Sequence, residues 1–221
     1  MDQAQAFAEA RNRMVDSQVR PNKVTDPRII AAMRRLPRER FLPPRLASLA
    51  YADEDVPLGE GRVLIEPAVI ARLVQLAAIA TGERALVVAA GTGYGAALLA
   101  ACGARVTALE DSASLQAIAR SVLAELAPSV SLVAGPLAAG WPVGAPYDVI
   151  LIEGAVRDIP PAIGGQLHQE TGRLVAVCST DGRICQAMLA ESTPAGLRLA
   201  PMFDCSVPPI PSLQRSPGFV F

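Results

Sequence analysis

Short apolar runs alternate with longer segments of helical periodicity through the central part of the chain. Five of these runs are interpreted as strands, at residues 84–90, 105–110, 130–135, 147–153 and 172–179. The run at 147–153 is apolar nearly throughout, as is typical of a strand that is covered on both faces of a sheet. Helices are expected between these strands, at residues 95–102, 113–126 and 159–169. The alternation predicts an α/β fold with a doubly wound, mostly parallel sheet.

The first quarter of the chain is more polar and contains several prolines. Residues 2–20 are interpreted as a charged helix, and Asp26 is expected to cap a second helix at 27–35, with proline as its first residue. A loop-rich stretch without a sheet is predicted up to about Gly61. An apolar helix is then expected at 67–80.

The pattern weakens after residue 180. Residues 183–191 and 197–207 are interpreted as a hairpin that closes the sheet. The tail that follows is expected to be extended, because it contains Pro208, Pro209, Pro211 and Pro217.

Composition and charge narrow the class of protein. The chain has 221 residues, of which 51% are hydrophobic and 19% charged, so we expect a globular protein with one large domain and a small N-terminal extension. The net charge of −1 gives no basic field for a nucleic acid or an anionic membrane. No apolar run reaches the roughly 20 residues that span a bilayer, and residues 1–20 have no signal-peptide core. The cytoplasm is therefore the expected compartment.

Four cysteines and a single histidine, His168, give no arrangement typical of a metal site. No two of the cysteines form a Cys-x-x-Cys pair, and reduced thiols are expected. We predict no bound metal.

A glycine-rich connection between a predicted strand and a predicted helix is the first candidate site. Gly91 and Gly93 let the backbone of this connection approach a ligand closely. The next strand ends at Glu110, where a carboxylate is placed to accept hydrogen bonds from both hydroxyls of a ribose. This combination indicates a nucleoside cofactor but does not separate NAD from S-adenosylmethionine. A tight turn that binds nothing is the alternative interpretation.

Seven short motifs, in order along the chain, resemble those of the protein-L-isoaspartate O-methyltransferases. They are Met14-Val15 with Gln18-Val19, Thr25-Asp26-Pro27-Arg28, Pro37-Arg38-Glu39-Arg40-Phe41, Val56-Pro57-Leu58-Gly59, Gly91-Thr92-Gly93-Tyr94, Gly140-Trp141-Pro142 and Gly172-Arg173-Leu174-Val175. The resemblance covers roughly residues 14–180, and its N-terminal part is specific to this family.

The resemblance implies a Rossmann-like methyltransferase fold and a defined reaction. The family transfers a methyl group from S-adenosylmethionine to the free α-carboxyl of an L-isoaspartyl residue in a protein or peptide. By resemblance, residues 1–66 form a helical extension with loops on the substrate side, and residues 67–221 form the methyltransferase-like unit. The implied cofactor-binding residues are Ala89, Gly91, Thr92, Gly93, Tyr94, Glu110, Pro136 and Leu137.

The sequence departs from the family pattern at several of the implied site positions. Ile65 occupies the position of the family's serine that holds the substrate carboxylate, and Glu66 beside it places a like charge near an incoming carboxylate. Val87 replaces an acidic residue, Ala89 replaces the first glycine of the loop, and Pro136 replaces an aspartate. We therefore expect weak or absent cofactor binding and little transfer to isoaspartyl peptides. No catalytic residue is assigned.

Three hypotheses follow for the function. The first is an S-adenosylmethionine-dependent protein carboxyl methyltransferase, and the second is a non-catalytic relative that serves as a binding or structural protein. The third is a methyltransferase with a different acceptor. Glu153, at the end of a predicted strand, lies on the side of the sheet where ligands bind, although a solvated strand end is the preferred interpretation. The oligomeric state is left open.

Overall fold

A seven-stranded sheet forms the centre of the protein in a computed structural model, which describes residues 2–179 and 185–214. Its strands are β3 (Arg84–Val88), β4 (Arg105–Glu110), β5 (Ser131–Ala134), β6 (Val149–Val156), β7 (Arg173–Ser179), β8 (Cys185–Thr193) and β9 (Gly196–Cys205). Their order in the sheet is β5-β4-β3-β6-β7-β8-β9.

The predicted parallel sheet is confirmed. All four pairings among β3 to β7 are parallel: β4 with β5, β3 with β4, β3 with β6 and β6 with β7. Strands β8 and β9 pair antiparallel with each other, and β8 pairs antiparallel with β7. The predicted closing hairpin is therefore confirmed over the described residues, while residues 183 and 184 lie outside them.

Alternate residues of the central strands enter two apolar clusters on opposite faces of the sheet. Leu86 and Val88 of β3 belong to one cluster, and Ala85 and Val87 belong to the other. This is the two-residue period of a strand that is covered on both sides. Val87, which replaces a family acid, is fully buried as part of this core.

Three longer helices cover one face, and the other face has less helical cover. The helices are α3 (Pro67–Leu76), α4 (Tyr94–Ala101) and α5 (Ala113–Leu126) on the first face, with α6 (Pro161–Gly164) on the second. Our prediction of a helix over 159–169 was wrong in length. The helix ends at Gly164, and residue 167 forms an isolated bridge with Tyr147 instead. Helix α3 also ends earlier than residue 80.

The N-terminal quarter contributes buried residues to the same apolar cluster as α3, α4 and α5. It contains α1 (Gln3–Met14), a π-helical turn (Val15–Val19), α2 (Pro27–Arg35) and 3₁₀ helices at Arg38–Phe41 and Pro44–Leu49. The bounds of α2 are those predicted, and the Asp26 side chain accepts a hydrogen bond of 2.8 Å from the amide of Arg28. The expectation that this region lacks a sheet was wrong, because β1 (Val56–Gly59) and β2 (Arg62–Leu64) form an antiparallel hairpin.

The described part of the tail is built into the fold rather than simply extended. Pro209 forms a bridge with Ala155 of β6, and residues Pro211–Leu213 form a 3₁₀ turn. Ile210 is 1% exposed, because it packs in the second apolar cluster. Pro217 lies outside the described residues. In the described part of the chain, no helix has both the length and the apolar character needed to cross a membrane.

Candidate cofactor cleft

The candidate site lies where the carboxyl ends of β3, β4 and β6 meet. Strand β3 pairs with β4 on one side and with β6 on the other, so the crossover connections diverge between β3 and β6. Ligands of doubly wound sheets bind at such a divergence, beyond the carboxyl ends of the strands. The residues predicted from the glycine-rich loop and from Glu110 are brought together here.

The loop that follows β3 has a positive φ at three positions, Ala89, Gly91 and Gly93. Gly93 caps α4 with a φ of +93°, a conformation that glycine adopts without steric cost. Ala89, where the family has glycine, has a φ of +60°, which is strained for a residue with a Cβ. All the residues from Ala89 to Tyr94 are buried. The loop therefore has the tight, glycine-containing backbone of a nucleoside-binding loop, but other parts of the protein cover it.

Glu110 is fully buried at the end of β4, and protein groups use both of its carboxylate oxygens. Its Oε2 accepts a hydrogen bond of 2.6 Å from the amide of Gly91. Its Oε1 accepts bonds of 3.1 and 3.0 Å from the amides of Asp111 and Ser112. Burial raises the pKa of Glu110, and the nearby Arg62 guanidinium opposes this shift.

Arg62 is the residue that the sequence analysis missed. It begins β2, and its Nη1 lies 3.1 and 3.2 Å from the two carboxylate oxygens of Glu110. Its Nη2 donates a hydrogen bond to the carbonyl of Ala89, and its side chain is only 7% exposed. The guanidinium thus pairs with the carboxylate that the sequence predicts as the partner of a ribose. Nothing in the sequence indicates this pairing, because Arg62 precedes Glu110 by 48 residues.

The hairpin and α5 cover the rest of the loop. A Cβ at Gly91 would lie 3.7 Å from Leu58 Cδ1 of β1. A Cβ at Gly93 would lie 2.9 Å from Leu123 Cδ1 of α5. The side chain of Leu123 therefore crowds Gly93, whereas a Cβ at Gly91 would make only an ordinary van der Waals contact with β1.

The last two of the implied cofactor-binding residues, Pro136 and Leu137, have different surroundings. Leu137 is 1% exposed and shares an apolar cluster with Leu109, Ile210 and Leu213. Pro136, in contrast, is exposed, and it precedes a 3₁₀ turn over Leu137–Ala139. Of this pair, only Leu137 is buried in the apolar cluster that the tail joins.

Ile65 and Glu66 differ in their surroundings. Ile65 is 3% exposed in the core, and its carbonyl accepts a hydrogen bond of 2.6 Å from Arg38 Nη2. Arg38 is itself completely buried, and its guanidinium lies 4.8 Å from the ring centroid of Tyr94. Burial raises the pKa of Glu66, and the charges of Asp55 and Asp53 raise it further. The position of the family's serine is therefore a core position that offers no side-chain donor.

Three polar atoms at the cleft are enclosed without a hydrogen-bond partner among the described residues. They are Thr92 Oγ1, Tyr94 Oη and Glu153 Oε1. Our preferred interpretation of Glu153 as a solvated strand end was wrong, because this oxygen is buried beside Gly95 at the start of α4. Burial raises the pKa of Glu153 to about 8. Enclosed and unsatisfied polar groups of this kind are typical of functional sites.

S-adenosylmethionine matches these polar groups in chemistry. Glu110 and the three unsatisfied atoms offer acceptors and donors for a polar nucleoside. The opening beside them, lined by Glu60, Arg62, Asp111, Ser112, Pro211 and Ser212, has a volume of about 290 Å³. This volume lies at the lower end of the roughly 300–1,000 Å³ that small-molecule sites usually measure. Arg62 and the tail thus narrow the cleft.

We assign no active-site role to a second groove of the protein or to His168. A groove of about 1150 Å³ between α6 and the β8–β9 hairpin is lined by none of the predicted site residues. The backbone amide of His168 donates a hydrogen bond to the carbonyl of Tyr147. Tyr147 precedes β6, so this contact lies at the edge of the sheet opposite the candidate site. Within the described ranges, no cluster of His, Cys, Asp and Glu is arranged to bind a metal.

Comparison with known proteins connects this geometry to a family. Residues 9–192 match the family described as Protein-L-isoaspartate(D-aspartate) O-methyltransferase (PCMT). A protein-L-isoaspartate O-methyltransferase of Methylorubrum extorquens (strain PA1) is 44% identical over 76% of this chain and 73% of its own length. Protein-L-isoaspartate O-methyltransferase 1 of Rhodopseudomonas palustris (strain HaA2) is 36% identical over 97% of this chain and 93% of its own.

A solved structure shares the fold. It is a Plasmodium falciparum protein described as a putative protein-L-isoaspartate O-methyltransferase in complex with S-adenosyl-L-homocysteine, with a TM-score of 0.76. The sequence identity is 15%, and the match covers 91% of this chain and 98% of the other. At this identity the likeness establishes the fold alone.

Proposed function

The chain belongs to the protein-L-isoaspartate O-methyltransferase family, and we propose that it is an S-adenosylmethionine-dependent methyltransferase of isoaspartyl carboxylates. The observation that carries this proposal is the family match over residues 9–192. The relatives that match most of the chain have this activity in their names. The comparisons give no support to the alternative of a non-catalytic scaffold.

The proposed cofactor residues are taken from those predicted from the sequence. S-adenosylmethionine supplies the methyl group that is transferred. Glu110 and the backbone of Gly91–Gly93 are proposed to bind its ribose and methionine ends, and Leu137 to contact the base. Arg62 pairs with Glu110 in this structure and is not proposed as a cofactor contact. The narrow cleft is the reason that we still expect weak binding.

The substrate side is proposed to lie in residues 1–66, and residues 67–221 are proposed as the methyltransferase-like unit. A protein or peptide with an isoaspartyl residue is the proposed partner. A cytoplasmic location is proposed because all four cysteines are free thiols, as is usual in a reducing compartment.

A methyl-transfer assay tests the proposal directly. The protein is incubated with labelled S-adenosylmethionine and an isoaspartyl peptide, and base-labile methyl ester is counted. The same peptide with normal aspartate is the substrate control. We expect label only with the isoaspartyl peptide, at a low rate.

Two substitutions distinguish a loss at the proposed site from a general effect of removing a carboxylate. Glu110→Gln is expected to abolish the labelling, because it removes the carboxylate at the proposed ribose position. Glu125→Gln is the matched control, since the Glu125 side chain is 57% exposed and its partner is Arg40 on the surface. Equal labelling of the isoaspartyl and aspartyl peptides would overturn the proposal, and so would full activity of Glu110→Gln.

A further inference from the structure

The C-terminal segment Val207–Leu213 crosses the carboxyl edge of the sheet beside the candidate cleft. Its backbone pairs with β6, since the amide of Ala155 donates to the carbonyl of Pro208 at 3.0 Å. The amide of Ile210 donates to the carbonyl of Ala155 at 2.9 Å. The segment is therefore fixed to the strand that borders the cleft.

The side chains of the segment fill space at this edge. Ile210 packs over Gly154, which has a φ of +147°, and a Cβ at Gly154 would overlap the Ile210 side chain. Leu213 is 8% exposed and joins the cluster of Leu109 and Leu137. Leu109 is the penultimate residue of β4 and Leu137 follows β5, at the carboxyl edge of the sheet where ligands bind.

The segment also meets the hairpin that carries Arg62. A Cβ at Gly61 would lie only 2.7 Å from Pro211 Cγ. Arg62, the next residue, extends from the hairpin to Glu110 and to the Ala89 carbonyl. The tail from one side and the hairpin from the other thus meet across the cleft, and Pro211 and Ser212 line the small opening that remains.

We propose that Val207–Leu213 and Arg62 together form an internal plug that occupies the cofactor cleft and must be displaced before a nucleoside cofactor binds. The inference rests on the proposed function for the identity of the cofactor. Arg62 supplies Glu110 with a cation where a ribose would supply hydroxyls, and Ile210 and Leu213 supply apolar surface. The plug takes up part of the cleft from within the chain and pairs with Glu110, so the cofactor competes with it.

The competition has a measurable consequence for affinity. The apparent dissociation constant of a ligand rises in inverse proportion to the fraction of molecules whose site is open. Ile210→Ala weakens the packing of the plug without changing Glu110, Arg62 or the glycine loop. We expect this variant to bind S-adenosylhomocysteine at least about tenfold more tightly than the unmodified protein does. Titration calorimetry measures the change.

The control substitution must remove as much core packing as Ile210→Ala does, but at a position outside the cleft. Ile163→Ala serves, because Ile163 in α6 is as deeply buried and belongs to the same apolar cluster. It is expected to bind S-adenosylhomocysteine as the unmodified protein does. A gain in affinity for both variants would mean that general loosening of the fold is responsible, and the proposal would be overturned.

Hydrogen exchange gives a readout that is independent of affinity. The amide of Ala155 in β6 donates to the tail, and the amide of Ile210 in the tail donates to β6, so this pairing protects both amides from exchange. With saturating S-adenosylhomocysteine, we expect exchange at Ile210 to become at least about tenfold faster, since the segment leaves β6. Binding to the unmodified protein with unchanged protection at Ile210 would overturn the plug while leaving the proposed function intact. Absence of binding to all three proteins would overturn both.

Discussion

Replacement of Arg62 by methionine removes the cation that faces Glu110 and leaves the carboxylate enclosed. The two groups lie 3.1 Å apart, with side chains 7% and 0% exposed. At an effective dielectric constant of about 20, two unit charges at this distance attract each other by about 5 kcal/mol. The three backbone amides that also bind Glu110 remain in the variant and offset part of the loss.

We expect Arg62→Met to lower the free energy of unfolding by about 3–5 kcal/mol at pH 7.5, the usual cost of removing one partner from a buried pair. For a chain of this size, that corresponds to a decrease in melting temperature of roughly 6–20 °C. Urea and thermal unfolding measure both quantities. Arg62→Met with Glu110→Gln should recover much of the loss, because no charge is then left buried.

The pH dependence provides a second test with a defined sign. Burial raises the pKa of Glu110 in the folded protein, so the ionised form is the one that folding disfavours. Without Arg62 this pKa rises further. The stability deficit of Arg62→Met should therefore be largest near pH 7.5 and should shrink as the pH falls to 5.5, where protonation removes the unpaired charge.

A surface pair supplies the matched control. Arg40 and Glu125 have side chains that are 47% and 57% exposed, and Arg40→Met should cost less than about 1 kcal/mol. The reasoning would be refuted by a loss as small as this for Arg62→Met. It would also be refuted by a deficit that does not change between pH 7.5 and 5.5.

Three further substitutions test local features of the fold by the same unfolding measurements. Ala89→Gly should be neutral or stabilising by up to about 1 kcal/mol, because it relieves the strain of a residue with a Cβ at a φ of +60°. The control, Ala90→Gly, should destabilise the protein. An Ala89→Gly variant that is less stable than the Ala90→Gly variant would contradict this expectation. Glu153→Gln should raise the free energy of unfolding, and the gain should grow as the pH rises from 5 to 8. The pKa of Glu153 in the folded protein is about 8, so over this range ionisation favours the unfolded chain. A gain in stability that does not depend on pH would argue against a buried carboxyl. Asp26→Ala should cost about 0.5–2 kcal/mol through loss of the cap on α2, and an unchanged melting curve would show that the cap contributes nothing.

The sequence predicted the local elements well where a short-range signal existed. Asp26 followed by Pro27 marked the start of α2, because capping depends on residues within one turn. The apolar runs predicted the five parallel strands, since a strand buried on both faces must be apolar at nearly every position. The short hairpin of β1 and β2 was missed, because two strands of four and three residues leave little periodicity.

The sequence likewise identified the loop and the carboxylate of the candidate site. Gly91, Gly93 and Glu110 do meet at one edge of the sheet, because the carboxyl ends of parallel strands share an edge. The motifs of the family were sufficient to predict its fold, and the matches to known proteins confirm that resemblance.

What fills the cleft was decided only by the tertiary structure. Arg62 lies 48 residues from Glu110 in sequence, and the tail reaches β6 from the far end of the chain. Neither contact has a periodic or local signature, because each depends on where the whole sheet places its edge. The sequence thus determined which residues are available for a cofactor. Long-range packing determined that, in this fold, Arg62 pairs with Glu110 and the tail lies along β6 beside the cleft.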